Sequence, residues 1–340
     1  MSALLISGAS GYLGHRLMKY LEQQQIHQKL IGIDIQEPPT AYSRAQFVKA
    51  DIRHPSLLKI LKTNKVDTVI HLAFINDQRF DATTAHEMNV IGTMKMLNAC
   101  AVAGVKKIIV ASCSLVYGAR FDNPNYLVED SPLLANRSFH YASDKIEVEN
   151  LCQQFLKRHP DIILILFRSC PFIGPDCNTF MAQLFKRPLV PLILGFNPLM
   201  QLIHVDDCLA AMVHFLNHEH SDIFNLAGDG TIPLRKAIRI SGGVPLPFLT
   251  TFLYPVSELL WHLKLSVSPV EQLGYLKYQC TINNQKMKDV FDFRPCYSSE
   301  GALLDFVAFQ RTEHVSADQQ IQNKQFTMLS DSDNDFDELN

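Results

Sequence analysis

Ala3-Leu-Leu-Ile-Ser7 runs without a break into Gly8-Ala-Ser-Gly11-Tyr-Leu-Gly14, and a second apolar run, Leu30-Ile-Gly-Ile-Asp34, ends on a carboxylate. The first run has no polar residue alternating with its apolar ones, the pattern of a strand buried on both faces. Small residues directly after it let the chain turn tightly into a helix, whose N-terminus then faces a pyrophosphate. Gly8, Ser10, Gly11, Tyr12, Leu13 and Gly14 are the expected cradle. Asp34 stands twenty residues after Gly14, where its carboxylate accepts both hydroxyls of an adenosine ribose. Its charge repels a 2′-phosphate, and Ile35, Gln36 and Glu37 offer no cation to receive one, so NAD is expected rather than NADP.

Outward from this motif, short apolar runs alternate with helix-length segments. Gln46–Val48, Thr68–His71, Lys107–Ser112 and Ile162–Arg168 read as further buried strands, and Ile223–Leu226 as a late addition. The strand, helix, strand order implies an α/β fold, a Rossmann-type doubly wound parallel sheet. Prolines break the rhythm after Pro171 and again between Gly242 and Pro269. The expected division is therefore an NAD-binding domain over 1–170 to which 201–230 returns, a smaller substrate-binding lobe from 171–200 and 231–310, and an acidic, disordered tail over 311–340. The tail reads as a solubilising end, with a targeting or partner-binding role as its alternative.

The 340 residues, 47% of them hydrophobic, suffice for one large core and an appendage. A net charge of −3, with 31 Lys and Arg spread along the chain, gives no basic track for a nucleic acid. The first strand begins too early to leave room for a signal peptide, and the eight cysteines show no Cys-x-x-Cys pair, so thiols in a reducing cytoplasm are expected. Val244–Leu265 is strongly apolar, but three prolines, Glu258 and His262 interrupt it. No integral membrane segment is expected there. A lobe helix with an apolar pocket face fits best, and contact with a membrane surface is the alternative. His214, His218 and His220 read as a solvated helix end, with no metal, and Asp206-Asp207 as helix capping. Pairing into a homodimer is left open.

Tyr141-Ala-Ser-Asp-Lys145 places a phenol and an ammonium on one helix face, and no other Tyr in the chain has a Lys four residues on. Added to the glycine motif, this makes the sequence resemble the extended short-chain dehydrogenase/reductase family, in its NAD-dependent epimerase/dehydratase branch. The supporting motifs, in order, are Asp51-Ile52, His71-Leu-Ala-Phe74, Asn89-Val-Ile-Gly-Thr93, Ser112-Cys-Ser-Leu-Val-Tyr-Gly118, Arg168, Gly174-Pro175, His204-Val-Asp-Asp207 and Asn225-Leu-Ala-Gly228. The resemblance spans about residues 3–310. It implies that Asp51 and Ile52 contact the adenine, that Leu72 and Ala73 line the path to the nicotinamide, that Asn89 is a cofactor-binding residue, and that Pro171 and Phe172 flank the ring. Lys145 would hold the nicotinamide ribose. Tyr141 would move a proton to or from a substrate hydroxyl while hydride passes to or from NAD.

The chain departs from the family pattern twice. Cys113 occupies the position of a Ser or Thr that donates a hydrogen bond to the reacting oxygen, and a thiol is a weak donor. Met200 stands where nucleotide-sugar epimerases carry an Arg for the diphosphate, and no Arg lies between Pro269 and Lys288. The implied activity is that of an NAD-dependent epimerase or dehydratase acting on a secondary alcohol or ketone, with a sugar or nucleotide sugar as substrate. Net dehydrogenation of an apolar hydroxy compound, of the hydroxysteroid type, is the alternative. A non-catalytic NAD(H) sensor is a third reading, against which Tyr141 and Lys145 both count.

Overall fold

The computed structural model describes residues 3–24, 29–76, 80–263 and 270–312. Of the tail expected over 311–340, Arg311 and Thr312 are helical and the remainder lies outside these residues. In chain order the elements are β1 (Ala3–Ser7), α1 (Tyr12–Gln24), β2 (Lys29–Asp34), β3 (Gln46–Lys49), α2 (Ser56–Thr63), β4 (Thr68–His71), α3 (Ala82–His86), α4 (Gly92–Ala103), β5 (Lys107–Cys113), α5 (His140–Arg158) and β6 (Ile163–Ser169). There follow β7 (Phe172–Ile173), α6 (Phe180–Phe185), β8 (Leu189–Ile193), β9 (Leu199–Met200), β10 (Ile203–His204), α7 (Val205–Asn217), β11 (Asp222–Leu226), β12 (Ile232–Pro233), α8 (Leu234–Ile240), β13 (Val244–Phe248), α9 (Thr250–His262) and α10 (Gln285–Phe291). A last helix covers 299–312.

Seven strands form one parallel sheet in the order β11-β6-β5-β4-β1-β2-β3. This is the doubly wound sheet expected from the apolar runs, and the late run joins it beside β6. Alternate residues of each strand enter different layers. Leu4, Ile6, Ile70, Ile109 and Phe167 pack with Leu17 of α1 and Phe215 of α7, while Leu5, Val69, Ile108 and Leu166 pack with Leu57 of α2, Met96 of α4 and Val148 of α5. Sealing such a side chain from water contributes about 1.5–3 kcal/mol, which is why the strands carry no polar alternation. Chain order reverses between β1 and β4, and in such sheets the ligand crevice opens there, beyond the C-terminal strand ends.

A third core joins Ile173, Met181, Phe185 and Val190 to Ile232, Ile238, Leu303 and Phe306. Val244–Leu265 is not one helix with an inward apolar face. Its first part is the strand β13, because Pro245 and Pro247 cannot supply helical N–H groups but are tolerated in a two-stranded edge pairing with β8. In the helix that follows, the apolar residues Phe252, Val256 and Leu259 are exposed.

Candidate active site

The turn after β1 is built for close approach of a ligand. Gly8 adopts φ +77°, and a Cβ there would lie 2.7 Å from the backbone N of Ala73. A Cβ on Gly14 would collide with the Gly8 carbonyl. The first glycine thus lets the β4 exit (Leu72, Ala73) touch the turn, and the third lets α1 pack onto it. Tyr12, Leu13 and Gly14 open α1, so their N–H groups belong to the first turn, which has no intrahelical acceptors. Asp34 is already oriented: Oδ2 accepts from the Ser10 N–H at 3.0 Å and Oδ1 from the Gln36 N–H at 3.1 Å. A tight glycine cradle, an open helix N-terminus and a carboxylate beside it fit NAD.

On the adenine side Asp51 is gripped by Arg53, at 3.1 Å from Nε and 2.7 Å from Nη2, and these bonds hold the carboxyl below its usual range. Ile52 is buried under α4, where a Cβ on Gly92 would come within 2.8 Å of its Cδ1. A broad cleft of about 820 Å³ opens here between Lys49, Asp51, Arg53, Glu87 and Lys95. It contains none of Tyr141, Lys145 or Cys113, so its size does not mark the chemistry.

The catalytic candidates converge at the ends of β4 and β5. Tyr141 and Lys145 lie one turn apart on α5, and Cys113 closes β5. Lys145 Nζ donates to the Ala111 carbonyl at 2.7 Å and sits 2.9 Å from the centre of the Phe74 ring. Burial pulls Lys145 down to about 7, against the opposing pull of Cys113 and Glu149. Burial pushes the Tyr141 phenol well above its ordinary value, and Cys113 and Asp144 act in the same direction. The Cys113 thiol is itself raised to about 11, mainly by burial, so it is neutral near pH 7. A phenolate at Tyr141 near neutral pH therefore needs positive charge beside it, and Lys145 Nζ lies 5.7 Å from the centre of the Tyr141 ring.

The side chains around them form a fixed frame. His71 bridges Ser7 Oγ (2.7 Å, through Nδ1) and Thr93 Oγ1 (2.9 Å, through Nε2), and burial lowers it to about 3. It is neutral, and because Thr93 donates to the Asn89 carbonyl, Nε2 of His71 is the donor and Nδ1 the acceptor. Asn89 sits in a π-helical turn, Glu87–Ile91, a form of helix often found at functional sites. Its amide accepts from the Ile75 N–H at 2.8 Å and donates to the Ile75 carbonyl and to Asp144 Oδ2. His86 holds the other Asp144 oxygen at 2.8 Å. Tyr141, Asn89, Asp144, Phe80 and Trp261 line a cavity of about 230 Å³. Tyr12 joins the cradle to the lobe: its ring stacks on Phe172 and its hydroxyl donates to the Pro175 carbonyl at 2.6 Å.

Several of these residues carried no role in the sequence reading. Glu149 takes Arg168 Nη2 at 2.6 Å and Ser112 Oγ at 2.5 Å, wholly inside the protein. Arg168 in turn donates to the Tyr117 hydroxyl, which donates to Asn225, so the Val-Tyr-Gly turn is tied to β6 and β11. The available signal is helical spacing, since Tyr141, Lys145 and Glu149 follow one another at four-residue steps. Met200 is buried in β9. Lys286 and Lys288, in the Arg-free stretch from Pro269 to Lys288, pair with Asp222 and Asp229.

Asp207 does not cap α7. Its carboxylate accepts from the N–H groups of Cys296 and Tyr297, and the cap is His204, whose Nδ1 accepts from Asp206. His214 and His218 pack against Phe291, at 5.8 and 5.1 Å between ring centres.

The profile of the NAD dependent epimerase/dehydratase family matches residues 4–227. An uncharacterized protein of Mycobacterium tuberculosis is 29% identical over 310 residues, covering 89% of this chain and 82% of its own. UDP-glucose 4-epimerase of Yersinia enterocolitica is 27% identical over 188 residues, 51% of this chain and 54% of that enzyme. Among solved structures, UDP-glucose 4-epimerase of Thermotoga maritima with UDP-glucose superposes with a TM-score of 0.75 at 16% identity, over 92% of this chain and 99% of that one. dTDP-glucose 4,6-dehydratase of Streptomyces venezuelae, with NAD bound, gives 0.74 at 20% identity, over 91% and 97%. These two likenesses concern the fold, and the profile concerns membership: the chain belongs to the NAD-dependent epimerase/dehydratase family of enzymes.

Proposed function

We propose that the protein catalyses NAD-dependent oxidation and reduction at a secondary alcohol or ketone of a small molecule, in a cycle of transient oxidation like that of sugar epimerases and dehydratases. The observation that carries this reading is the convergence of Tyr141, Lys145 and Cys113 beside the glycine cradle at the C-terminal strand ends. NAD, when bound in the glycine cradle, would supply the hydride acceptor and donor. Tyr141 would take the substrate hydroxyl proton on its phenolic oxygen and give it back. Lys145 would favour the phenolate by its charge and hold the nicotinamide ribose. Cys113 would offer its S–H to the reacting oxygen. Gly8, Ser10, Gly11, Leu13, Gly14 and Asp34 would hold the pyrophosphate and adenosine ribose, and Asp51 with Ile52 the adenine. Leu72, Ala73, Pro171 and Phe172 would border the nicotinamide, while Asn89 would shape the loop at Ile75. Residues 1–170 and 201–230 would make the cofactor domain, and 171–200 with 231–310 the substrate lobe.

A second reading, net dehydrogenation of an uncharged, apolar hydroxy compound, is favoured by one observation. Among the described residues, no Lys or Arg lines the cavity at Tyr141. The two readings separate by cofactor retention. An epimerase keeps NAD through its cycle, so protein denatured after purification would release NAD in near-equal amount, whereas a net dehydrogenase would exchange it. Turnover of an added alcohol, read as NADH formation for the dehydrogenase and as interconversion of the substrate for the epimerase, should be lost in Tyr141→Phe. Undiminished turnover in that variant would refute the assignment.

A further inference from the structure

Helix α9 turns its apolar side outward. The side toward the protein carries buried Leu253 and half-buried Tyr254, Ser257 and Trp261. Phe252, Val256, Leu259, Leu260 and Leu263 follow at i, i+4, i+7, i+8 and i+11, one continuous stripe, and they are 38 to 66% exposed. The stripe continues through exposed Leu249 into β13, where Val244, Leu246 and Phe248 share one face by strand alternation. Leu189 of β8 is paired with Val244 and is exposed as well. Parallel strands are ordinarily covered on both faces, and soluble monomers rarely present so continuous an apolar surface.

The rim of this face is cationic at the β8/β13 end. Arg187 lies two residues before Leu189, the first residue of β8, with its carbonyl against Gly243, and Arg239 stands in the last turn of α8. Both are exposed, and among the described residues neither has an ion-pair partner. Glu258, on the flank of α9, is the only carboxylate of that helix. A protein partner of such a surface would need polar groups set to fix its register, and the stripe has none between Phe252 and Leu263 on its own face. A fluid acyl layer needs no register, and anionic headgroups complement Arg187 and Arg239. The thirteen residues of α9 rise only about 20 Å, short of a hydrocarbon core of about 30 Å, and no described helix is long and apolar enough to cross a membrane.

We propose that α9, β13 and β8 form a docking surface for an anionic lipid bilayer, with α9 lying in the interface and its Phe252 to Leu263 stripe among the acyl chains. The proposal concerns where the protein sits and holds whichever reaction Tyr141 carries out. Trp261, on the inward side of the same helix, lines the Tyr141 cavity, so α9 stands between that cavity and the docked bilayer.

The test is sedimentation of the full chain with vesicles of phosphatidylcholine, with and without a minority of phosphatidylglycerol. Wild type is expected to pellet with the mixed vesicles and to be released by salt. Phe252→Ser/Leu259→Ser should weaken binding at least tenfold, and Arg187→Gln/Arg239→Gln by about thirtyfold on mixed vesicles only. An unchanged thermal midpoint and NAD affinity show that a variant is folded. Should the first pair fail that check, Val256→Ser/Leu263→Ser replaces it. Failure of wild type to pellet with either vesicle overturns the proposal, as does full binding by the folded stripe variants. Stripe substitutions that split a dimer in sedimentation velocity, with vesicle binding unaltered, would assign the face to a second copy and overturn it too.

Discussion

The Lys145 ammonium stands 2.9 Å from the centre of the Phe74 ring, while the same nitrogen donates to the Ala111 carbonyl at 2.7 Å. The ring face attracts the cation as burial disfavours it, so Phe74 adds to the pull of Cys113 and Glu149 toward the charged form. Phe74→Leu keeps the cover but removes the π face. The pH at which activity falls on the alkaline side should move down by roughly one unit, read from the pH–rate profile. An unmoved limb would mean that Lys145 does not set it.

Lys145 also links stability to pH. Its folded value of about 7 lies below its unfolded value of about 10.5, so between these limits the unfolded chain binds more protons and stability contributed at this site rises with pH. The penalty for the buried charge is full below pH 7 and vanishes above 10.5. Lys145→Met should therefore be most stabilised relative to wild type at or below neutral pH. The gap should close by up to about 1.4 kcal/mol per pH unit toward pH 10, measured by urea unfolding.

Glu149 and Arg168 form a fully enclosed pair, with side-chain exposures of 0% and 3%. Removing one partner leaves the other unpaired inside the protein, which costs about 3–5 kcal/mol. Glu149→Leu should lose that much in denaturant unfolding, and Glu149→Leu/Arg168→Met should recover most of it. A double variant no better than the single would place the value of the pair in Tyr117 and Ser112.

The sheet was legible because buried parallel strands leave uninterrupted apolar runs. Lys107–Ser112 differs from β5 by one residue at its end, and Ile162–Arg168 is β6 shifted by one residue. The short strands of the lobe were not, since two-residue pairings such as Phe172–Ile173 have no period to read. β13 was hidden by Pro245 and Pro247, which normally argue against a strand. At the candidate site, the residues legible in the sequence are those with a spacing rule: the glycines, Asp34, Tyr141 and Lys145. Phe74 and His86 gain their places only from tertiary contact, and their spacing from Lys145 and Asp144 says nothing.

Asp34 is held toward the cradle by Ser10 and Gln36, so it should govern cofactor choice. NAD should bind at least tenfold tighter than NADP in calorimetry. Asp34→Ala should narrow the ratio mainly by weakening NAD. Equal affinities in wild type would remove Asp34 from this role.

In the proposed reaction Tyr141 exchanges a proton with a substrate oxygen that Cys113 supports only weakly. A neutral thiol is a poor donor, and loss of one such donor typically lowers turnover about 10²–10³-fold. The most direct measurement is NADH formation and product turnover over a panel of UDP-glucose, UDP-galactose, dTDP-glucose and a hydroxysteroid, in wild type, Cys113→Ser and Cys113→Ser/Tyr141→Phe. With the substrate that turns over, Cys113→Ser should be about tenfold faster at nearly unchanged NAD affinity, and the double variant should be inactive. Activity that falls in Cys113→Ser, or that survives in the double variant, would contradict the account.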